Sequence, residues 1–274
     1  MNKLAVVVTL YQKNFSETPS ADLLITAAEK NELLLIIYDN SQETDNEIQT
    51  NKNIIYTSHP ENKGICPAYN FALQKASELG ADWLILLDHD TKVSDEYLSA
   101  LLRGKIDGFK AVVPQIFGQD TIISPLLADR YISLNDSQSI QSGQTEKPIM
   151  AINSGSAVPV DILQSIGGFN EAFPLDFLDH WLFWRLNQID QPYLILETQL
   201  KHSLSVQTPS AMSTTRYASI LAGEALYYSQ YNLDEFSNYR KHLMLRSAKQ
   251  FLKFKNRQLW RMSLKTLIQL RRGK

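Results

Sequence analysis

The residues best suited to chemistry are two aspartates, Asp88 and Asp90, which directly follow an apolar run over residues 83–87. A run this short and this apolar is typical of a strand buried on both faces of a sheet. Neighbouring carboxylates repel each other, and each costs free energy near a low-dielectric interior. Hard oxygen ligands of this kind suit Mg²⁺ or Mn²⁺, and such ions also bind phosphates. The pair therefore indicates either a divalent-cation site or two solvated acids in a loop.

The elements that would position these aspartates alternate between strand and helix. The sequence predicts strands over residues 4–10, 33–38, 54–56 and 83–87, and helices over 20–30, 65–79 and after the capping residue Ser94. This order is typical of a mostly parallel sheet with helices on both faces. Ligands of such sheets bind beyond the carboxyl ends of the strands, so Thr9, Tyr11 and Asp39 should meet the two aspartates in one crevice.

The second half of the chain has a weaker pattern. Residues 116–150 predict short strands and loops, and an extended pattern returns over 151–160. A helix over 176–187 and a strand over 193–196 follow, and the sequence is helical from about residue 215 onward. We therefore expect one domain over residues 1–210 and a helical extension over 211–274.

Composition narrows the classes of protein. The chain has 274 residues, 44% of them hydrophobic and 20% charged, as in ordinary globular proteins. Cys66 is the single cysteine, which excludes an intramolecular disulfide and a cysteine-based zinc cluster. We see no signal-peptide pattern and no apolar stretch of about 20 residues, so we expect a cytoplasmic protein.

The charge is unevenly distributed along the chain. Residues 240–274 contain twelve Lys and Arg and no Asp or Glu, which leaves fifteen basic against 29 acidic residues before them. The sequence therefore predicts an acidic body and a basic tail. The acidic body argues against nucleic acid as a partner.

Six segments together resemble a known family. They are, in order, "VVVTLYQ", "IIYDNS", "NKGICPAYNFAL", "DWLILLDHDT", "NSGSAVPVDILQSIGGFNEAFPLDFLDHWLFWRL" and "KHSLS". Their order and spacing resemble the family 2 glycosyltransferases, above all the rhamnosyltransferase-like members, over residues 3 to about 205. The resemblance implies an A-type glycosyltransferase fold, with a nucleotide-sugar-binding part over 1–115 and an acceptor-binding part over 116–210.

The resemblance also implies roles for individual residues. The nucleotide-sugar-binding residues would be Thr9, Tyr11, Asp39, Asn62, Gly64 and Asp88; the acceptor-binding residues Ser154, Gly155, Gly168 and Phe169; and the ligands of a bound Mg²⁺ or Mn²⁺ Asp88, Asp90 and His202. Three of these have an alternative interpretation. Asp39 would also suit a turn after a strand, Tyr11 ordinary packing, and His202 a structural role.

The segment "LDFLDHWLFWR" resembles the part of the family that supplies the general base, which would be Asp179. An aspartate here would equally suit the start of a helix, where it favours the positive end of the dipole. The segment departs from the commoner pattern, because Leu178 stands where many members have Glu and Trp181 where an acid is usual. Asp176 is a nearby substitute for the base.

The resulting hypothesis is an inverting glycosyltransferase. It would move a sugar, rhamnose in the rhamnosyltransferase-like members, from a dTDP- or UDP-linked donor to a glycan or lipid-linked acceptor in cell-surface polysaccharide synthesis. The alternatives are a non-catalytic sugar-nucleotide or glycan binder and a nucleotidyltransferase, although residues 9–16 offer only Lys13 for the basic loop that the latter needs. Neither GxGxxG nor a Walker loop occurs. The sequence leaves the oligomeric state open.

The basic tail has two interpretations. Residues 240–274 could form a helix packed on the acidic body, or an interfacial segment that holds the protein on an anionic cytoplasmic membrane surface. At helical spacing one apolar stripe of the tail consists of Trp260, Leu264, Leu267 and Ile268.

Overall fold

The computed structural model describes residues 2–43, 45–118, 121–131, 138–202 and 213–272, without the side chains of residues 118, 201, 202, 271 and 272. The chain separates into two compact units. Unit 1 comprises Met1–Leu127 and Ser137–Ser203, and unit 2 comprises Ala128–Asp136 and Leu204–Lys274. The predicted boundary between a nucleotide-sugar part and an acceptor part within 1–210 stays a prediction.

The strands all belong to unit 1. They are β1 (Leu4–Leu10), β2 (Leu33–Asp39), β3 (Ile54–Ser58), β4 (Trp83–Asp88), β5 (Thr91–Lys92), β6 (Ala111–Gly118), β7 (Thr121–Ser124), β8 (Leu126–Leu127), β9 (Gly143–Thr145), β10 (Ile149–Met150), β11 (Ala157–Pro159) and β12 (Tyr193–His202).

The helices divide between the units. Unit 1 contains α1 (Ala21–Glu29), α2 (Ile65–Glu78), α3 (Asp95–Arg103), α4 (Val160–Ser165) and α5 (Leu178–Leu186), and unit 2 contains α6 (Thr214–Leu226), α7 (Phe236–Lys253) and α8 (Arg257–Arg272). Short 3₁₀ turns lie at Phe15–Glu17 and Leu233–Glu235, and a π-helical turn at Tyr227–Tyr231.

The central sheet has the strand order β3-β2-β1-β4-β11-β6-β12-β5, with β7 beside β6 and β9 beside β12. The first four strands are parallel, and β6 and β12 are also parallel, whereas β11 runs antiparallel to both β4 and β6. The register places Thr9 beside Asp88 and Leu10 beside Asp39. The carboxyl ends of β1, β2 and β4 therefore meet, as predicted.

Helices cover both faces of this sheet. Alternate residues of β1 (Leu4, Val6, Val8 and Leu10) enter a core that also contains side chains of α1 and α3. On the other face α2 packs against β1 and β4 and buries its small and aromatic residues. Because every residue of β1 and β2 is buried, neither strand alternates between apolar and polar, as expected for two covered faces. The predicted mostly parallel sheet with helices on both faces is confirmed.

Two predicted elements differ from the structure. The extended pattern over 151–160 yields a strand only at Ala157–Pro159, because the chain turns just before it: the Ser156 N–H donates to the Asn153 carbonyl at 2.9 Å, and Gly155 has φ +88°. The strand predicted at 193–196 continues to His202. The apolar pattern that predicts the strand is interrupted by the polar residues Glu197 and Gln199. The pairing of β12 with β6 also shifts in register between Ile195 and Gln199.

Asp39 ends β2 and holds the segment that follows it. Its Oδ1 accepts the Ser41 N–H at 2.9 Å, and its Oδ2 accepts the Asn46 side-chain amide at 2.7 Å and the Tyr56 hydroxyl at 3.0 Å. The carboxylate is fully buried, at 0% exposure. Hydrogen bonds from neutral donors thus satisfy a charge that burial alone would make costly.

Asp39→Asn should therefore destabilise the fold. The substitution removes the charge and places an amide nitrogen opposite at least one of the donors Ser41, Asn46 and Tyr56. Hydrogen bonds to a charged group contribute about 1.5–3 kcal/mol. Urea denaturation measures the difference, with Asp45→Asn in the same segment as the matched control because Asp45 is exposed. Equal stability of the two variants would contradict the assigned network.

Candidate functional site

The end of β4 and the end of β1 share a hydrogen bond. The Thr9 hydroxyl lies 3.3 Å from Asp88 Oδ1 and 3.4 Å from the Leu87 carbonyl. Thr9 is buried, with 5% exposure, whereas Tyr11 is 45% exposed at the mouth of the crevice. Thr9 therefore orients the Asp88 carboxylate, and of the two residues predicted to border a nucleobase only Tyr11 offers substantial surface.

Ser154 forms hydrogen bonds with the same strand end and with β5. Its Oγ accepts the Asp88 backbone N–H at 2.9 Å and lies 2.6 Å from the Thr91 hydroxyl. Ser154 has no exposed surface, and its predicted place at the border of an acceptor pocket stays a prediction.

The neighbouring Gly155 is equally enclosed. Its carbonyl accepts the Tyr97 hydroxyl at 2.7 Å, and a Cβ at this position would lie 2.7 Å from the Leu200 side chain and 2.9 Å from Pro114. Gly155 is therefore also a supporting residue, required by close packing and by its positive φ.

Asp88, His89 and Asp90 are all half-buried at the end of β4. Across residues 2–43, 45–118, 121–131, 138–202 and 213–272, no three His, Cys, Asp or Glu side chains cluster as a complete metal site. Mg²⁺ typically binds through one or two carboxylates and takes its other ligands from substrate phosphates and water. Two carboxylates at an open strand end, one oriented by Thr9, fit this requirement.

The third predicted metal ligand, His202, lies at the end of β12. Its backbone pairs with Thr91 in β5, one residue after Asp90. The side chain of His202 lies outside the described residues, so its role stays a prediction. The backbone pairing does bring the chain of His202 to the strand end that carries the two aspartates.

Asp39, predicted to meet a base or ribose, is covered by its own chain. Asn46 lies over it, and the Asn46 side chain also accepts the Phe15 N–H at 2.7 Å. The structure thus shows the turn-supporting arrangement that was the alternative interpretation. A nucleobase could reach the Asp39 carboxylate only after the Asn46 amide moves, so this contact stays a prediction.

The start of α2 is bound to the segment that precedes α5. The N–H groups of Ile65 and Cys66 both donate to the Pro174 carbonyl, at 2.8 and 3.1 Å. A Cβ on Gly64, which has φ +95°, would lie 2.1 Å from that oxygen. Asn62, with φ +40°, is exposed in the turn before it. Gly64 is therefore required for the contact between α2 and Pro174, and Asn62 for the turn.

A second contact joins α2 to the segment after α4. The Asn70 side chain accepts the Phe169 N–H at 2.8 Å and donates to the Phe169 carbonyl at 2.9 Å. A Cβ on Gly168 would approach Asn70 Oδ1 to 2.8 Å, and Phe169 is 3% exposed. Gly168 and Phe169 are packed against α2, and their predicted acceptor-binding role stays a prediction.

Asp179 lies in the first turn of α5, next to His180. Its Oδ1 accepts the His180 N–H at 2.8 Å and lies 3.0 Å from His180 Nδ1. Burial alone would raise the pKa of Asp179, but the charge and hydrogen bonds of His180 outweigh burial and lower that pKa. Phe177 precedes the helix with φ +66° and packs its ring 4.3 Å from the His180 ring. A bulky residue at positive φ is strained, as is common at functional sites.

The departures from the family pattern occupy core positions. Leu178 has 0% and Trp181 5% exposure, so the two apolar residues pack in the interior. His180, between them, is the residue that interacts with Asp179, and the sequence analysis missed it. Asp176 lies half-buried before the helix begins. Both carboxylates therefore lie near the start of α5, and Asp179 is hydrogen-bonded to His180.

Tyr69 on α2 is a further residue that sequence reasoning missed. Its side chain is fully buried, and its hydroxyl has no hydrogen-bond partner within the described ranges. Burial raises the pKa of Tyr69 well above its usual range, and the charges of Asp88 and Asp179 raise that pKa further. The charges of a carboxylate at the end of β4 and of a carboxylate in α5 thus both act on this hydroxyl.

The sequence is similar to that of known proteins over part of its length. Residues 22–154 match Glycosyl transferase family 2. The dTDP-rhamnosyl transferase RfbF of Shigella flexneri is 24% identical over 147 residues, which cover 52% of this chain and 50% of RfbF. The chain thus spans about half the length of this relative.

Crystal structures of S. aureus TarS share the fold. The structure of TarS 1–349 has a TM-score of 0.54 at 14% identity and covers 98% of this chain and 80% of its own. Its complex with UDP-GlcNAc gives 0.54 at 15% identity, with 98% and 81% covered. The chain therefore has the A-type fold that TarS has, and it is similar in sequence to the family 2 glycosyltransferases over residues 22–154 and to a rhamnosyltransferase over 147 residues.

Proposed function

We propose that the chain is an inverting glycosyltransferase that moves a sugar from a nucleoside-diphosphate donor to a hydroxyl group of an acceptor. The observation that carries this proposal is a pair of oriented carboxylates: Thr9 contacts Asp88 at the end of β4, and His180 contacts Asp179 at the start of α5. One carboxylate ends a strand at which such folds bind nucleotides, and the other begins a helix with a histidine beside it.

The reaction assigns a separate task to each carboxylate. The acceptor oxygen attacks the anomeric carbon from the side opposite the diphosphate, forms the new C–O bond and inverts the configuration. The bond between the anomeric carbon and the diphosphate oxygen breaks, and its electron pair leaves with the nucleoside diphosphate. Asp179 takes the proton of the attacking hydroxyl. Its lowered pKa keeps it ionised at neutral pH and ready to accept that proton.

His180 is a positioning residue in this scheme. Both of its hydrogen bonds to Asp179 end on Oδ1, which leaves Oδ2 as the oxygen to accept the proton. The packing of His180 on Phe177 fixes the ring that makes one of these bonds. Asp176 offers a second carboxylate nearby, outside the helix and half-buried.

We infer that Asp88 and Asp90 hold a Mg²⁺ or Mn²⁺ ion together with the donor diphosphate. When bound, such an ion neutralises charge that develops on the leaving group. Thr9 and Ser154 support this role, because they fix the side chain and the backbone of Asp88.

We further propose a dTDP- or UDP-linked donor, with rhamnose as the first sugar to test. The name of the RfbF relative and the UDP-GlcNAc complex of TarS support these choices. The acceptor in the proposal is a glycan or a lipid-linked glycan of cell-surface polysaccharide synthesis. A lipid-linked acceptor would place the chain at the cytoplasmic surface of a membrane, which the basic residues 240–274 also favour.

The test of the function is turnover of the donor by the purified chain. dTDP-rhamnose and a panel of UDP-sugars are incubated with Mn²⁺, and release of nucleoside diphosphate is measured. Slow donor hydrolysis, accelerated by a suitable glycan acceptor, is the expected result. A donor that raises the melting temperature but is never turned over would identify a binder instead.

Asp90→Asn should abolish Mn²⁺-dependent binding of the nucleoside diphosphate, because a neutral amide is a poor ligand for a hard cation. Titration calorimetry with UDP and dTDP, with and without Mn²⁺, measures the loss. Asp107→Asn is the matched control, since Asp107 is exposed and shares a surface hollow with the start of β4, at the other end of the strands. Metal-dependent binding that survives in the Asp90 variant would reject the metal site.

Asp179→Asn should leave donor binding nearly intact and slow transfer by ~10²–10⁴-fold, the usual contribution of general acid–base catalysis. Asp176→Asn, the control from the same segment, should slow transfer far less. Single-turnover transfer rates together with donor affinities separate the two effects. The opposite ranking of the variants would move the base to Asp176.

His180→Phe should shift the pH dependence of kcat/KM. Asp179 acts as a base only when ionised, so activity is lost as the pH falls through its pKa, which His180 lowers. Phenylalanine keeps a ring against Phe177 but removes the charge and the side-chain hydrogen bond of His180, which both lower the pKa of Asp179. The pKa of Asp179 therefore rises. The acidic limb of the profile should therefore move to higher pH, whereas an unchanged limb would show that His180 does not act on the base.

A further inference from the structure

Helix α7 has an apolar surface that faces solvent. This α7 stripe comprises Met244, Leu245, Ala248, Phe251 and Leu252, which are all exposed. Their spacing of i, i+1, i+4, i+7 and i+8 places them on one side of the helix. Met244, Leu245, Phe251 and Leu252 are 48%, 52%, 49% and 77% exposed. Four large apolar side chains are thus in contact with water along about two turns.

The opposite side of α7 is fixed within unit 2. Its buried residues are Tyr239, Leu243, Ser247 and Gln250. The Gln250 side chain donates to the Tyr217 hydroxyl at 2.7 Å, and the Ser247 hydroxyl donates to the Trp260 carbonyl at 3.1 Å. Arg246 forms an ion pair with the buried Glu224 at 2.5 Å. These contacts fix the orientation of α7 about its own axis, and with this orientation the α7 stripe faces solvent.

Lysines surround the α7 stripe. Lys241, Lys249, Lys253 and Lys255 are all exposed. The sequence has no Asp or Glu from residue 240 to 274, so no acidic side chain of that segment neutralises them. The surface therefore combines apolar side chains with cations and lacks the mixed charges of an ordinary solvated helix.

We propose that the α7 stripe docks on an anionic lipid surface. Leu245, Phe251 and Leu252 enter the boundary between headgroups and acyl chains, and the lysines reach the acidic headgroups. A second copy of the chain would place like-charged lysines against one another, which disfavours self-association through this surface. Within the described part of the chain no helix is long and apolar enough to span a membrane. Docking in the plane of the surface is the arrangement that the α7 stripe offers.

The stripe predicted from the sequence lay on α8 and does not serve this role as well. Leu267 is buried at 6% exposure and Trp260 is half-buried, so both are partly used for packing inside unit 2. Leu264 and Ile268 are 38% and 42% exposed. The structure therefore moves the principal contact with lipid from α8 to α7.

Co-sedimentation of the full chain with vesicles tests the proposal. Vesicles of phosphatidylcholine with phosphatidylglycerol should bind the chain, binding should weaken with added salt, and vesicles of phosphatidylcholine alone should bind it far less. The double variant Leu245→Gln, Leu252→Gln should weaken binding by roughly tenfold or more, the effect of withdrawing one to two buried leucines. The matched control Leu264→Gln, Ile268→Gln on α8 should change it much less.

Several outcomes would overturn the proposal. They are equal binding to neutral vesicles, no binding to either kind, a larger effect of the α8 pair than of the α7 pair, and concentration-dependent self-association in sedimentation velocity that the α7 pair abolishes. Donor turnover in solution should be unchanged in both double variants. Failure of vesicle binding with intact turnover would therefore reject the docking surface alone, and absent turnover with intact docking would reject the enzyme alone.

Discussion

The carbonyl oxygen of Pro174 connects the two parts of the site. The first N–H groups of a helix have no partner within it, and in α2 the carbonyl accepts two of them, from Ile65 and Cys66. This contact exists only because Gly64 has no side chain, since a Cβ would lie 2.1 Å from the oxygen. The segment that leads into α5 is thereby held at the start of α2, and Asp179 comes to the same helix that packs against β4. A substitution at Gly64 would thus separate the two carboxylates without touching either.

The acids near the strand ends and at α5 are stabilised in different ways, and the difference suits the roles proposed for them. Asp39 is fully buried and accepts hydrogen bonds from Ser41, Asn46 and Tyr56, which stabilise the segment after β2. Asp179 has a histidine, which lowers its pKa despite burial and keeps it ionised. Asp88 and Asp90 remain half-buried at an open strand end, where a cation can approach them. The two carboxylates repel each other, and a ligand of opposite charge would remove that repulsion.

The sequence predicted well what depends on local pattern. Buried apolar runs identified the parallel strands, and strand ends identified the crevice, because both follow from hydrophobic periodicity alone. It could not find contacts between residues distant in the chain. The Ser154 hydroxyl accepts the backbone N–H of Asp88, and the chain turns back after β2 so that the Asn46 amide donates to Asp39. The role of Tyr69 depends on two carboxylates from other elements, for which no local signal exists.

The basic C-terminal helices show a further limit of prediction from local pattern. Helical periodicity finds apolar faces but cannot tell which face packs and which meets solvent. On α7 the packed face includes Ser247 and Gln250, polar residues that form hydrogen bonds inside unit 2, whereas Leu245 and Leu252 are exposed. This inversion of the usual order costs free energy in water, because apolar area stays hydrated while polar groups lose their water. An environment that covers the leucines and attracts the lysines removes that cost, and an anionic lipid surface provides both.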